Sequence, residues 1–360
     1  MKRIAYVQNW DSRWGRGILN MVLDQLTVWQ ERGYDVRLFS LTRHDPGGDL
    51  VSLVGSRVPL VVRNCRGIAD RFIQYYPLAS MVAKWKPDIV YARFEGCYPA
   101  LVTLAAHIPL VLEIQTDDLA EYQLGPAYRH IYNRLTRGWL LARARGMVFL
   151  SHELAQKAHY TCFRKLSTVV SNGIDLSSYP PLPPEHNSWP RLVFIGSPGA
   201  PWHGIDKLGL LADRYPDWHF DIIGVPSAEV PEMVMPNVTF HGILDRVHCE
   251  DICKRADVGI GTLALHRKDM EEASPLKVRQ YLALGLPIII AYVDSDLPEP
   301  RPYILQLPNT PDNVATHLST IGRFVEQVKG LRVPRAEICH LDTRQKEGVR
   351  LEFLNSLVNG

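Results

Sequence analysis

The 360-residue sequence has no apolar run near the roughly 18 residues that a membrane-crossing helix needs, which removes helical membrane proteins from the reading. It has no Cys-x-x-Cys. Its six cysteines lie apart, at 65, 97, 162, 249, 253 and 339. Zinc-ribbon and dithiol chemistry therefore lack support, and a cytoplasmic setting fits. Cys249 and Cys253, beside His248, have the spacing of a helical metal edge. Two ordinary helix residues explain them as well, and no metal is expected. There is no basic run of five and no alternation of aromatics with arginine, so no nucleic-acid partner is expected. Internal repeats and low-complexity tracts are absent. Trp14-Gly-Arg-Gly-Ile-Leu-Asn20 lacks the third glycine of a dinucleotide fingerprint, and no acidic residue ends the second expected strand. That argues against a dehydrogenase and its cofactor, although the backbone at Gly15 and Gly17 could still approach a phosphate or sugar closely.

What the chain has is an ordinary globular composition, 46% hydrophobic and 22% charged, at a length that suggests two domains. Its start, Met1-Lys-Arg-Ile-Ala-Tyr-Val-Gln-Asn9, reads as a first strand and not as a signal peptide. The net charge of +2 conceals an asymmetry: residues 1–180 hold 22 Lys and Arg against 15 Asp and Glu, and the rest 18 against 23. A basic first half suggests an anionic partner there, such as a membrane surface or a phosphorylated lipid. The proline-rich stretch Tyr179-Pro-Pro-Leu-Pro-Pro-Glu-His-Asn-Ser-Trp-Pro190 can make neither helix nor central strand, so 181–190 reads as an extended linker. Before it, strands are expected at 3–8, 35–40, 60–62, 89–92, 110–114, 146–150 and 167–171. After it, they are expected at 191–195, 219–223, 238–241, 258–262, 286–291 and 303–306. Helical stretches fall between them. This alternation implies parallel sheets with right-handed crossovers. The expected fold is α/β, two Rossmann-like domains facing a cleft, over 1–180 and 191–340. A last helix within 341–360 would pack back toward the first domain.

The densest motif is Glu272-Ala-Ser-Pro-Leu-Lys-Val-Arg-Gln-Tyr-Leu-Ala-Leu-Gly-Leu-Pro287. Ser274-Pro275 reads as a helix N-cap followed by the first helical residue. Leu276, Gln280 and Ala283 share a helical face. Gly285 ends the helix, and Pro287 opens a buried strand. An exposed helix start with free N–H groups is an anion site, to which Lys277 adds a mobile positive charge.

This segment resembles the nucleotide-sugar signature of GT-B glycosyltransferases, above all the retaining family 4. Glu272 matches the first of the family's two glutamates, and Gln280 stands where the second is expected. The resemblance implies that Glu272 lies beside the donor sugar, with Gln280 at the ribose. Ser274, Pro275, Leu276 and Lys277 would be at the diphosphate. Val170-Ser-Asn-Gly-Ile-Asp175 resembles the Pro-Asn-Gly-Ile-Asp element that closes the family's first domain, with Ser171 in place of proline. Phe194-Ile-Gly-Ser-Pro-Gly-Ala-Pro-Trp-His-Gly-Ile-Asp206 stands where the family has Gly-Arg and Lys-Gly. It places Gly196, Ser197, His203 and Gly204 at the donor. Ser197 and His203 carry no permanent charge, so compensation would come from Lys277, Arg267, Lys268 and the helix end. Gly17 would face the donor from the first domain. In Leu112-Glu-Ile-Gln-Thr-Asp-Asp-Leu-Ala-Glu121, Asp117 would stand near the reacting sugar and Asp118 would orient the acceptor. Helix capping explains these aspartates equally well. Arg93 and Glu95 are expected at the acceptor.

The implied protein is a metal-free, cofactor-free glycosyltransferase. It would take a nucleotide-diphosphate sugar and a saccharide or lipid-linked acceptor in exopolysaccharide or capsule assembly, at the inner membrane face. Two rivals stand beside it: a sugar-nucleotide epimerase or hydrolase, and a non-catalytic nucleotide-sugar binder. The arginine-rich segment 127–145 carries an apolar stripe of Ile131, Leu135, Trp139 and Ala142. The expectation is a core-facing stripe with a solvated basic face, against the alternative of a basic face resting on anionic lipid.

Overall fold

The computed structural model describes residues 3–11, 17–43, 45, 48–180, 182–184 and 186–359. The chain divides into two compact units, Met1–Ser171 with Thr343–Gly360, and Asn172–Asp342. In the first unit, seven parallel strands form one sheet: β1 (Arg3–Asp11), β2 (Asp35–Arg43), β3 (Leu60–Asn64), β4 (Ile89–Arg93), β5 (Leu110–Ile114), β6 (Gly146–Phe149) and β7 (Leu166–Val169), in the order β3-β2-β1-β4-β5-β6-β7. Strands such as Leu-Val-Leu-Glu-Ile of β5 are buried throughout, as expected when both sheet faces are covered. The strand order reverses between β1 and β4, and ligands of open α/β sheets bind beyond the strand ends at such a reversal.

The C-terminal helix Thr343–Asn359 belongs to this first unit and runs along the helix Gly17–Glu31. Buried polar contacts help to hold it. The Trp29 indole donates to Glu347 at 2.7 Å, and Arg350 reaches Glu113 on β5 at 3.3 Å. Leu351, Leu354 and Leu357 complete the apolar core around Tyr6, Trp29 and Tyr91.

The second unit contains β8 (Arg191–Ile195), β9 (His219–Ile223), β10 (Val238–Gly242), β11 (Val258–Ile260), β12 (Glu272–Ala273), β13 (Ile288–Ile290), β14 (Val293–Asp294) and β15 (Ile304–Gln306). Its parallel sheet runs β10-β9-β8-β11-β13-β15, reversing between β8 and β11. The thirteen expected strands are all present. β12 and β14, which pair with each other, were not foreseen, because two residues carry no periodicity.

The units divide at Ser171, ahead of the boundary expected at residue 180. The reason is hydrogen bonding: Ile174 N–H donates to Leu341 at 3.0 Å, and Leu176 N–H to Asp342 at 3.2 Å. The proline-rich stretch also belongs to the second unit. Asn187 donates to Arg255 at 2.9 Å and Asp257 at 3.0 Å, and Lys329 donates to Ser188 at 2.7 Å.

Candidate active site

In the second unit, the motif residues gather at the sheet reversal. The helix Leu276–Ala283 is fixed there by Tyr281. Its hydroxyl accepts from the N–H of Ile195, the last residue of β8, at 2.7 Å. Its ring fills the place where a Cβ on Gly259 would lie, 2.5 Å away, so glycine is required in β11. Gly285 stops the helix with φ +80. Its N–H bonds to Leu282 and that of Leu286 to Tyr281, each at 2.9 Å, closing a Schellman cap.

The helix start differs from expectation. The N-cap is Pro275, and Ser274 does not cap. Ser274 lies one residue earlier, where β12 ends, and is buried. Its hydroxyl accepts from Arg279 at 2.7 Å and from the Asn172 N–H at 3.0 Å, and its carbonyl accepts from the Asn172 side chain at 2.5 Å. Glu272 itself lies in β12.

Arg279, which sequence reasoning passed over, organises this region. It is fully buried and pairs with Asp294 through two 2.8 Å bonds, with Asp296 at 2.8 Å, and with the Asn172 carbonyl at 3.0 Å. Burial alone would lower its pKa, but Asp294 and Asp296 outweigh that and raise it. The Asn172-Gly-Ile-Asp element is thus joined to the Glu272 motif inside one unit.

Lys277 is the opposite case. Its Nζ is buried, lies 4.0 Å above the Phe194 ring, and has no hydrogen-bond partner among the described residues. Burial pulls its pKa down to about 7. Lys268 lies close by: its Nζ sits 4.2 Å over Trp202. Both lysines act on His203, which is edge-on to Phe194 and Trp202. Burial first, then Lys277 and Lys268, lower the His203 pKa to about 2. His203 is therefore neutral near pH 7, in keeping with the expectation that charge compensation must come from other groups. Its Nδ1 accepts weakly from the Ser197 N–H at 3.5 Å. Ser197 itself is exposed.

The loop that carries these residues is pinned to β11's end. Leu263 N–H donates to His203 and Ala264 N–H to Trp202, at 3.1 and 3.2 Å. A Cβ on Gly196 would meet Phe194 at 2.6 Å, and Gly204 has φ +68 against Leu263 and Ala264. Arg267 is committed to Asp206 through bonds of 2.9 and 2.8 Å, so it is not free to compensate an anion. Gln280 lies 4.0 Å from the Cys249 sulfur. Cys249 and Cys253 are buried, whereas His248 turns outward to Asp245 at 2.9 Å, so the three do not converge as a metal edge.

The first unit's reversal is also polar. Arg93, ending β4, bonds to Gln115 and stands 3.8 Å from Glu95 and 3.9 Å from Glu113. Glu95 accepts from Asn9 of β1 at 2.6 Å, and Tyr75 donates to Asn9 at 3.0 Å. Burial, only partly offset by Arg93, raises the Glu95 pKa. Gly17 opens the helix after β1, and a Cβ there would meet nothing within 4 Å. Gly15 lies outside the described residues.

Asp117 and Asp118 take structural places. Asp117 caps the helix Asp118–Gln123 by accepting from Leu119 and Ala120, and its other oxygen pairs with Lys157 at 3.1 Å. Burial would raise its pKa, yet His159, Lys157 and the Ala120 N–H hold it well below the usual range. Both of its oxygens are thus engaged, by the helix start and by Lys157. Asp118 is buried and accepts from Arg137 twice at 2.7 Å, and from Asn133 and Tyr160 at 2.5 Å. Its oxygens are taken, so it is not placed to hold an acceptor. Among the described residues, Asp117, Asp118 and His159 form the one group of metal-ligand composition. Lys157 and Arg137 already neutralise its carboxylates.

The comparisons with known proteins fit this architecture. Residues 15–178 match the model of Glycosyltransferase Family 4. No curated protein matches the sequence. Among solved structures, Anabaena HepE in complex with UDP-glucose superposes with a TM-score of 0.69 at 14% identity, over 99% of this chain and 100% of that one. Sucrose-phosphate synthase from Thermosynechococcus elongatus gives 0.67 at 14% identity, over 99% and 96%. The UDP-GlcNAc 2-epimerase from Neisseria meningitidis, bound to UDP-GlcNAc, gives 0.58 at 13% identity, over 98% and 100%. At such identities the likeness establishes the fold. The chain thus has the GT-B fold, and residues 15–178 within it are similar to Glycosyltransferase Family 4.

Proposed function

We propose that the protein is a metal-independent, retaining glycosyltransferase that moves a hexose from a nucleotide-diphosphate donor to a hydroxyl of a saccharide or lipid-linked saccharide. Exopolysaccharide or capsule assembly in the cytoplasm is the setting we favour. The observation that carries the donor half is Lys277: a buried ammonium without a hydrogen-bond partner among the described residues, at a helix start and at a sheet reversal. A diphosphate would supply the missing acceptor oxygens and keep the lysine protonated. Lys268 and the helix end add positive charge. In the step itself, the bond from the anomeric carbon to the diphosphate breaks and one to the acceptor oxygen forms. The hydroxyl proton passes to the departing diphosphate. Glu272 would orient the donor sugar, Gln280 would meet the ribose, and Arg93 and Glu95 would meet the acceptor.

Uridine diphosphate sugars come first as donors, because HepE and the epimerase of the same fold are seen with them. The test is a thermal-shift series with UDP, GDP, ADP and dTDP sugars in EDTA. The expected result is one donor class that raises the melting temperature in wild type and fails to do so in Glu272→Ala and Lys277→Met. No shift with any donor would overturn the reading. The fold shared with the Neisseria epimerase favours a second reading, and product analysis separates the two. An epimerase makes a new nucleotide sugar without acceptor.

A further inference from the structure

The helix Ala127–Arg143 turns its polar residues inward. Asn133, Thr136 and Arg137 are buried with Leu140 and Leu141. The expected core-facing stripe points the other way: Tyr128, Ile131, Leu135 and Trp139 are 57%, 56%, 71% and 61% exposed. With 3.6 residues per turn, these four fall in one line opposite the buried face. Arg129 and Arg143 run along one flank of that line and Arg134 along the other, all exposed, and the helix has no acidic residue. Leu124, just before the helix, is exposed as well.

We propose that this face is a docking surface for an anionic lipid bilayer, on which the helix lies in the plane of the headgroups. Scattered exposed apolar residues need no explanation, but four large ones in register on one helix do. Aromatic and aliphatic side chains flanked by exposed arginines on both sides have the composition of an interfacial helix. The apolar line enters the acyl boundary, and the guanidinium groups meet the headgroups. The excess of basic over acidic residues in 1–180 gives the same sign over a longer range. A second copy of this chain fits less well, because pairing this face with itself would set exposed arginines against each other without acidic partners. The proposal stands apart from the donor-site reading and needs no sugar transfer to be tested.

The experiment is vesicle flotation of the full chain without donor or acceptor. One vesicle set is phosphatidylcholine alone, and the other adds phosphatidylglycerol. Wild type should float with the anionic vesicles only, and less so as salt rises. Leu135→Ser/Trp139→Ser should weaken binding about ten-fold or more, as lost apolar burial dictates. Arg134→Glu/Arg143→Glu should do the same through charge. All four positions are exposed, so both variants should melt like wild type. Equal flotation with both vesicle types, or unchanged flotation of either variant, would overturn the proposal. A wild-type dimer that fails to float and that the serine variant dissociates would make the stripe an interface between copies instead.

Discussion

The two units treat buried charge differently. In the first unit, charges close on one another: Arg137 on Asp118, Lys157 on Asp117, and Arg350 on Glu347 and Glu113. In the second, Arg279 is closed in the same way on Asp294 and Asp296, but Lys277, two residues earlier on the same helix, has no hydrogen-bond partner among the described residues. A closed pair holds a fold together. An open buried cation is a cost to the folded chain unless something anionic arrives.

The sharpest test of the closed side is Arg279→Met. It strands a buried Asp294 and removes the donor to the Asn172 carbonyl and the Ser274 hydroxyl. The expected loss is about 3–5 kcal/mol in urea unfolding. Full stability in this variant would mean that the pair is not structural. Arg137→Met should cost less, about 2 kcal/mol, because Asp118 keeps its bonds from Asn133 and Tyr160. The open side predicts the reverse profile. Lys277→Met should leave unfolding at neutral pH unchanged or slightly strengthened. It should weaken nucleotide-diphosphate binding about 10- to 100-fold in calorimetry, the value of a lost charge-assisted bond. A Lys277→Met protein as unstable as Arg279→Met would erase the distinction between the two.

Much of this architecture was legible in the residues. Parallel strands covered on both faces are near-continuous apolar runs, and β4, β5, β6 and β13 announce themselves in that way. The Glu272 to Pro287 motif was legible too, because Gly285 and Pro287 punctuate it. Partnership was not legible. Nothing in the local pattern says that Ser274 would bind Arg279 and not cap a helix, since the competing donor, Asn172, lies 102 residues away. The arginine helix teaches a related lesson. Spacing revealed that Ile131, Leu135 and Trp139 share a face. Only the buried bond of Arg137 to Asp118 fixes which face turns inward.

A last consequence of the comparison concerns pH. Lys277 is held at about 7 in the folded chain, against about 10.4 for an unfolded lysine. Between those values the unfolded chain carries a proton that the folded chain does not, so raising pH favours folding, by at most about 1.4 kcal/mol per pH unit. Below pH 7 both states are charged and the cost of the buried ammonium is fully present. Above the unfolded value both are neutral and it vanishes. Denaturant unfolding from pH 7 to 10 should therefore show a rising contribution that Lys277→Met abolishes, after subtraction of the slope common to both proteins. Ligand affinity should run the other way. A diphosphate needs the protonated lysine, so binding should weaken above pH 7 in wild type and lose that dependence in Lys277→Met. His203, neutral throughout this range, contributes to neither trend. A wild-type affinity flat from pH 7 to 9 would remove Lys277 from the diphosphate and leave Lys268 and the helix end to hold it.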